Sequence, residues 1–368
     1  MQIEDISIVN FKNLKEVQLQ FSPKLNCFIG KNGAGKTNIL DAVYYLSFCK
    51  SFSTSVDQLN INHDESFFML NGNYNRQNTS EVISVGFKKG SGKQFKRNKK
   101  VYKKLVEHIG LLPLVMIAPS DFNLIMAGSD ERRKFMDGVI SQYNQNYLDD
   151  LLKYNRALQQ RNILLRQFAA ERYFDKDLLE LWNEKLIEHG NRIHEQRSGF
   201  VKKLIPVFQH YYSFISEDNE KVSLIHQSGL YDNDFETLLK ESVQKDRAIQ
   251  FTTQGIHKDD LVFYIGDYPI KKLGSQGQKK TYLTALKLAQ FDFVKEISGI
   301  KPILLLDDIF DKLDQFRVEQ IVKVVAGEQF GQIFITDTNR EHLASIIEKM
   351  ETDFRIFNVD SGKVEVLL

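Results

Sequence analysis

The most restrictive feature of the sequence is the segment GKNGAGKT, which fits the pattern G-x-x-x-x-G-K-[S/T]. An apolar stretch, KLNCFIG, runs into this segment and is predicted to be a strand, and a helical pattern follows from Thr37. Glycines let the backbone wrap tightly, so that successive N–H groups point at phosphate oxygens beside the positive end of the helix dipole. The expected phosphate-binding residues are Gly30, Lys31, Asn32, Gly33, Ala34, Gly35, Lys36 and Thr37.

Two side chains of this loop and two acids elsewhere complete the expected chemistry. Lys36 is expected to reach the β- and γ-phosphates as a catalytic cation, and the Thr37 hydroxyl to ligate Mg²⁺. The stretch ILLLDD places Asp307 and Asp308 directly after four apolar residues, at the strand edge where open α/β sheets bind ligands. We therefore expect Asp307 to hold Mg²⁺ through water and Asp308 to polarise the attacking water. The alternative is that both acids only cap the end of the strand.

The spacing of these motifs restricts the class of fold. Thr37 and Asp307 are 270 residues apart, whereas small GTPases and RecA-like ATPases place the acid much sooner after the loop. The guanine-reading pattern NKxD is absent from the sequence. The nucleotide-binding fold must therefore be split by a large insertion, with the acid-bearing strand rejoining it near the C-terminal end.

A change in the predicted secondary structure along the chain locates the insertion. Residues 1–129 and 243–368 carry strand patterns mixed with helices, whereas residues 130–242 read as helical, with the second long helical stretch interrupted at Pro206. We predict an α/β lobe formed by 1–129 and 243–368 and an inserted, mainly helical lobe at 130–242. The length of 368 residues allows one large domain or two ordinary ones, and the apolar fraction of 42% is sufficient for a proper core.

The segment LGSQGQKK precedes a long predicted helix and lies about 30 residues before Asp307. In this position it matches the signature loop of ABC-type ATPases, in which a serine and a glycine donate hydrogen bonds at a helix N-terminus. In that superfamily the loop completes the nucleotide site of a second subunit. Ser275, Gly277 and Gln278 are therefore expected to contact the nucleotide of a partner copy, and Leu313 and Asp314 to belong to a D-loop at the dimer interface.

Taken together, these motifs resemble the RecF family of bacterial recombination-repair proteins, which are SMC-like ABC ATPases. The matching stretches cover nearly the whole chain: NFKNL; GKNGAGKTNILDAVYYLSFCKSF; APSDFNLIMAGSDERRKFMD with YLDDLLKYNRALQQRNILL; and GIHKDDLVF, LGSQGQKKTYLTALKLA and LLLDDIFDKLD. The resemblance implies an ABC-type ATPase head with an inserted helical lobe.

The same resemblance implies a function. It implies binding of ATP and Mg²⁺, an ATP-dependent homodimer on DNA, weak DNA-dependent ATP hydrolysis, and help in loading recombinase at gaps during repair and replication restart. RecO- and RecR-type mediator proteins are the implied partners. The main alternative is an ABC-type ATPase switch that remodels a protein partner without binding DNA; a nuclease-linked ATPase and a transporter subunit fit the sequence less well.

Several positions depart from the family pattern. Lys258 and Lys280 stand where arginine is usual, and Ile256 where proline is usual. Asp311 replaces the usual D-loop serine. Thr336 and Asp337 follow the FI strand pattern where many ABC proteins have a switch histidine, so the residue that senses the γ-phosphate stays open.

Two surfaces are candidates for DNA contact, since the net charge of +1 requires local basic patches. One is the run of residues 88–104, which carries nine Lys or Arg and can equally be a solvated hairpin. The other is a set of insert arginines, which can equally form structural ion pairs: Arg132, Arg133, Arg156, Arg161 and Arg166.

Three further readings concern metals and membranes. The segment GIHKDD offers His257, Asp259 and Asp260, for which a turn-capping role is favoured over a metal site. The opening segment MQIEDISIVNFKN lacks the pattern of a signal peptide, and no apolar run approaches the ~20 residues of a membrane helix. We therefore expect a cytoplasmic protein.

Overall fold

The computed structural model describes residues 1–217, 220–310, 315–338, 347 and 353–368. The chain divides into two compact units. Unit 1 contains residues 1–122, residues 214–217 and the described residues from 276 to 368. Unit 2 contains residues 123–213 and the described residues from 220 to 275.

An antiparallel sheet, called sheet A, forms part of unit 1. Its strands alternate buried and exposed residues, as expected for a sheet with one face on the core. In the described chain it has the order β2-β1-β4-β5-β6-β7. The strands are β1 (Gln2–Phe11), β2 (Leu14–Gln20), β4 (Phe67–Arg76), β5 (Thr79–Lys88), β6 (Gly92–Arg97) and β7 (Lys100–Val101).

A second, mostly parallel sheet of unit 1, called sheet B, carries the predicted nucleotide loop. Its order is β15-β14-β3-β13-β12-β8 within the described residues. The strands are β3 (Leu25–Ile29), β8 (Leu114–Ile117), β12 (Ile303–Asp307), β13 (Ile333–Asp337), β14 (Phe354–Asp360) and β15 (Lys363–Val366). Strands β3, β8, β12 and β13 are buried along their whole length, which explains their mainly apolar sequences. Only β15 pairs antiparallel, as the predicted closing hairpin.

Helices of unit 1 pack with these sheets. They are α1 (Lys36–Phe48), α8 (Gln276–Ser298) and α9 (Gln315–Val325). The helix α1 contributes Ile39, Val43 and Leu46 to a core that it shares with both sheets. Because β3 leads into α1, and β13 lies between β3 and β12 with all three strands parallel, the carboxyl ends of these strands meet around the start of α1.

Unit 2 is mainly helical but also contains a small sheet. Its helices are α2 (Asn123–Met126), α3 (Ser129–Ser141), α4 (Gln145–Glu171), most of α5 (Lys176–Ser216), α6 (Phe235–Ile249) and α7 (Ile270–Leu273). Its strands are β9 (Val222–Gln227), β10 (Asp260–Ile265) and β11 (Tyr268–Pro269). Short 3₁₀ turns occur along the chain at Asp57–Asn60, Leu105–Glu107, Pro119–Phe122 and Ile256–Lys258.

Unit 2 differs from the predicted insert in two respects. It begins at residue 123 and ends at residue 275, without residues 214–217, whereas the predicted insert covers 130–242; β10 pairs with β9 and α6 packs on α4, which places both elements in unit 2. The predicted interruption at Pro206 was wrong, since α5 continues through it. Leu204, Phe208 and Tyr212 are buried on either side of Pro206, and this packing offsets the backbone hydrogen bond that proline cannot donate.

Candidate nucleotide-binding site

The loop between β3 and α1 has the conformation that its glycines permit. Gly33 and Gly35 have φ angles of 79° and 118°, in the left-handed region that other residues avoid. A Cβ atom at Gly30 would lie 2.2 Å from the Val359 carbonyl oxygen, so that position also requires glycine. Residues 31–33 and Thr37 are exposed, whereas Ala34, Gly35 and Lys36 are buried. The loop therefore presents its middle to solvent and is anchored at both ends.

The Lys36 side chain lies across the mouth of the loop. Its Nζ donates to the carbonyl oxygens of Gly30 at 2.8 Å and Lys31 at 3.2 Å. The ammonium group is thus held at the centre of the ring of backbone atoms, where its charge would meet a phosphate.

The first predicted acid lies beside the loop. The Thr37 hydroxyl donates to the two carboxylate oxygens of Asp307 at 2.9 and 3.0 Å. The structure therefore brings together a hydroxyl and a carboxylate that are 270 residues apart in sequence, because β3 and β12 both pair with β13.

Thr336 is a neighbour whose role sequence reasoning left open. Its hydroxyl donates to Asp307 Oδ1 at 2.7 Å and accepts from the Asp308 backbone N–H at 3.0 Å. The side chain is completely buried. Thr336 thus contacts the Asp307 carboxylate and the Asp308 backbone from the end of β13, the position at which a switch histidine was considered.

Burial raises the pKa of the Asp307 carboxyl above its usual range, while hydrogen bonds from Thr336 and Thr37 act in the opposite direction. The adjacent Asp308 carboxylate raises this pKa further, and the Lys36 ammonium lowers it. Asp308 itself has a φ of 49°, a left-handed conformation that aspartate tolerates better than most residues. The pair is therefore a concentrated, partly desolvated negative site that favours a cation.

Asn13, at the turn between β1 and β2, braces the loop from outside and had no predicted role. Its Nδ2 donates to the Ala34 carbonyl at 3.1 Å, and its Oδ1 accepts from Asn38 Nδ2 at 2.7 Å. The Gly362 N–H donates to the same Ala34 carbonyl at 2.9 Å. The only signal in the sequence was the presence of Asn13 in the matching stretch NFKNL.

The predicted signature loop lies at the start of α8. Ser275 is exposed directly before Gln276, the first helical residue, and Gly277 and Gln278 are half-buried in the first turn. The predicted D-loop residues Asp311, Leu313 and Asp314 lie outside the described residues.

The segment GIHKDD forms ion pairs and hydrogen bonds inside unit 2. Buried Asp259 accepts from Arg197 at 2.8 Å, and Asp260 accepts from Arg132 at 2.6 and 2.9 Å. His257 Nδ1 lies 2.8 Å from the Tyr154 hydroxyl. Within the ranges that the structure describes, no cluster of three or more His, Cys, Asp or Glu side chains is arranged to hold a metal. The contacts described for this segment are ion pairs and hydrogen bonds within unit 2.

Three of the insert arginines form ion pairs or hydrogen bonds with other residues of unit 2. Arg161 is fully buried and donates to Asn183, Asp246 and Thr252 at 2.7–2.8 Å. Arg132 pairs with Asp260, and Arg133 pairs with Asp130. The proposal that all five arginines form one DNA surface is therefore wrong, because a buried guanidinium cannot reach a phosphate; Arg156 and Arg166 are exposed.

The basic run of residues 88–104 forms the predicted hairpin, from the end of β5 through β6 and β7. Two of its cations are paired: Lys93 with Asp57, and Arg97 with Glu81. The exposed lysines of the run are Lys88, Lys89, Lys99, Lys100, Lys103 and Lys104. A positive surface therefore remains after the internal ion pairs are removed. None of the helices in the described ranges is both long enough and apolar enough to cross a membrane.

Comparison with known proteins agrees with this geometry. The model of the RecF/RecN/SMC N-terminal domain family matches residues 2–365. The chain is 54% identical to the DNA replication and repair protein RecF of Phocaeicola vulgatus over 366 residues, 99% of this chain and 98% of that protein. It is 48% identical to the protein of the same name from Flavobacterium johnsoniae over 359 residues, 98% of this chain and 100% of that protein.

Solved structures show the same relationship. A structure of the recombination mediator protein RecF-ATP in the RecFOR pathway superposes with a TM-score of 0.89 at 32% identity, covering 100% of this chain and 97% of that one. The Smc head domain from Pyrococcus furiosus, bound to the C-terminal domain of ScpA, matches with a TM-score of 0.58 at 16% identity over 99% of this chain and 95% of that chain. This second likeness concerns the fold alone and confirms the predicted SMC/RecF-like α/β head. The full-length similarity and the site built around Thr37 and Asp307 lead to one conclusion: the chain belongs to the RecF family.

Proposed function

We propose that this protein is an ATP-dependent, DNA-binding dimer that acts in recombinational repair and replication restart. One observation carries the proposal: a solved RecF-ATP structure of the RecFOR pathway covers this whole chain, both units included, with a TM-score of 0.89. Similarity of both units, not only of the nucleotide loop, supports a shared mode of action.

ATP is the proposed ligand of the loop Gly30–Thr37. Its backbone N–H groups would bind the phosphates, and the Lys36 ammonium would exchange its bonds to the Gly30 and Lys31 carbonyls for β- and γ-phosphate oxygens. The family, the loop conformation and the buried anchors at Ala34 and Gly35 support this assignment.

Mg²⁺ fits the oxygen donors beside the loop. Thr37 Oγ1 lies 2.9 Å from Asp307 Oδ1, and a hydroxyl with one or two carboxylates plus phosphates is the kind of donor set that Mg²⁺ prefers in proteins. Thr37 and Asp307 would hold the ion, Asp307 through water. Bound there, Mg²⁺ neutralises charge on the β- and γ-phosphates. Thr336 would keep the Asp307 carboxylate aimed at this position.

Asp308 is proposed as the general base. The Asp308 backbone N–H donates to the Thr336 hydroxyl at 3.0 Å. Because Asp308 directly follows Asp307, the acid beside the metal, its carboxylate would face the water that attacks the γ-phosphate. Ser275, Gly277 and Gln278 of a second copy would complete the site, since they stand exposed or half-exposed at the start of α8. The nucleotide would then join two copies, and hydrolysis would release them.

DNA contact is assigned to the exposed lysines of the basic run in unit 1, with Arg156 and Arg166 of unit 2 as further cations. Lysines on a hairpin contact phosphates without reading bases, so binding should be independent of sequence and weakened by salt. The RecFOR pathway of the solved relative supports mediators of the RecO and RecR type as partners and recombinase loading at gaps as the outcome, with slow hydrolysis timing release.

Sedimentation velocity with and without Mg·ATP, and with and without duplex DNA, tests the proposal. We expect a monomer that becomes a dimer with ATP and joins DNA in that form. ATP turnover that rises with DNA would support the clamp. Dimers that form with ATP but neither bind DNA nor change their ATP turnover when DNA is added would favour the alternative, a switch that remodels a protein partner. Lys36→Ala serves as the matched control, because its dimer should fail to form at the same ATP concentration.

A further inference from the structure

Lys93 belongs to the basic run but does not face solvent. On β6, Phe95 is buried in the core, so Lys93 and Arg97 lie on the same, inward face, whereas Gln94 and Lys96 lie on the outward face. Only 18% of the Lys93 side chain is exposed. The run therefore contains two kinds of cation, and Lys93 is of the inward kind.

The contacts of Lys93 converge on the C-terminal end of α1. Its Nζ donates to the Cys49 carbonyl oxygen at 2.8 Å and lies 2.9 Å from Asp57 Oδ2. It also lies 5.4 Å from the centre of the Tyr45 ring. Tyr45 is a fully buried residue of α1, and its hydroxyl donates to Asp57 Oδ1 at 2.5 Å. Lys93, Asp57 and Tyr45 thus form one connected group, called here the Lys93 latch.

The latch occupies an electrostatically distinct point of α1. Cys49 is the residue that ends the helix, with a left-handed φ of 56°, and the last carbonyls of a helix have no partner within it. A lysine ammonium placed there satisfies one such carbonyl and complements the negative end of the helix dipole. The contact is therefore specific to the end of this helix.

The other end of α1 is the nucleotide site. The helix begins at Lys36 and runs for 13 residues, a length of about 20 Å. Most of its residues are buried, among them Leu40, Ala42 and Val43, so it is held as one body in the core. A shift of β6 would therefore reach Lys36 and Thr37 through the latch and the helix.

We propose that Lys93 is a positioning residue that couples occupancy of the outward lysines by DNA to the geometry of the nucleotide loop. This inference rests on the proposed function, since it requires DNA to bind the hairpin and ATP to bind the loop. Phosphates bound to the exposed lysines of the hairpin, with the half-buried Lys96 of β6 beside them on the outward face, would move or stiffen β6. Lys93 would pass that change to α1, so that ATP turnover responds to DNA.

The test compares Lys93→Gln with Lys96→Gln, a neighbouring cation on the opposite face of the same strand. ATP turnover is measured without DNA and at saturating duplex DNA, and DNA affinity is measured separately as a function of salt. For Lys93→Gln we expect the turnover at saturating DNA to stay within about twofold of its own value without DNA, although DNA still binds. For Lys96→Gln we expect weaker DNA binding but full stimulation once DNA saturates.

Further variants separate coupling from folding. Asp57→Asn removes the acid of the latch and should reproduce the loss of stimulation, whereas Lys93→Arg keeps the charge and should restore it. Circular dichroism verifies that each variant is folded. Stimulation at saturating DNA that equals the wild type in Lys93→Gln would overturn the coupling, and so would a fall in turnover by the same factor with and without DNA. A wild-type protein that does not respond to DNA would overturn the proposed function as well.

Discussion

Replacing Thr336 with valine should loosen both acids of the nucleotide site while leaving its shape intact. The hydroxyl donates to the buried Asp307 carboxylate at 2.7 Å and accepts from the Asp308 N–H at 3.0 Å. A hydrogen bond to a charged group contributes about 1.5–3 kcal/mol, and the half-buried Asp308 amide that loses its acceptor adds about 1 kcal/mol, the low end of the range for a buried group. Because the two effects share one atom and are not additive, we expect a loss of about 3 kcal/mol.

Hydrogen–deuterium exchange of the peptides that cover β12 and β13 measures this loss locally, which suits a chain with two units. A loss of 3 kcal/mol corresponds to exchange about 150-fold faster in the valine variant. Thr336→Ser keeps the hydroxyl and removes only a methyl group, which costs about 1 kcal/mol, or about fivefold. Equal exchange in the two variants would refute the reasoning, because it would assign the effect to packing and not to the hydroxyl.

Three further predictions concern the same unit. Lys36→Ala should weaken ATP binding about 10- to 100-fold in calorimetry, because a charge-assisted contact to phosphate is lost; unchanged affinity would contradict the role of the loop. Asp308→Asn should leave a long-lived ATP-bound dimer in sedimentation, and turnover at the wild-type rate would reject Asp308 as the base. Burial lowers the pKa of His108 from 6.5 to about 4, so below pH 6.5 the unfolded chain takes up a proton that the folded chain does not. Stability should fall by about 2 kcal/mol from pH 7 to pH 5, and His108→Gln should flatten that part of the urea-unfolding profile; an unaltered profile would exclude His108 as its source.

Much of the geometry of the candidate site was predictable because it follows from general rules. A glycine loop between a strand and a helix has one common use, and the acid after a buried strand arrives at the same sheet edge. The contact between Thr37 and Asp307 is the direct result. The bracing of Ala34 by Asn13 and Gly362 was not predictable, since turn residues at the two ends of the chain reveal nothing of their proximity.

Charged residues were the least predictable part. The sequence presents Arg161 as one of several surface cations, yet it is fully buried against Asp246. This pairing could not be predicted because the two residues are 85 positions apart along the chain. The inward position of Lys93 was indicated by the sequence. Lys93 lies two residues before the apolar Phe95 on the same strand, and residues two apart on a strand share a face. Helix α5 continues through Pro206 because the packing of its buried side chains outweighs the local tendency of proline to end a helix.

The order of strands in sheet B has a consequence for synthesis. Strand β3, which leads into the nucleotide loop, lies between β13 and β14, and both neighbours leave the ribosome about 300 residues later. At roughly 5–20 residues per second, β3 waits tens of seconds with both edges unpaired. The strands of sheet A all lie within residues 2–101 and can pair during that interval. The sheet around the candidate nucleotide site is therefore completed late in synthesis, and a chain stopped before β13 would carry the loop without the two strands that flank β3.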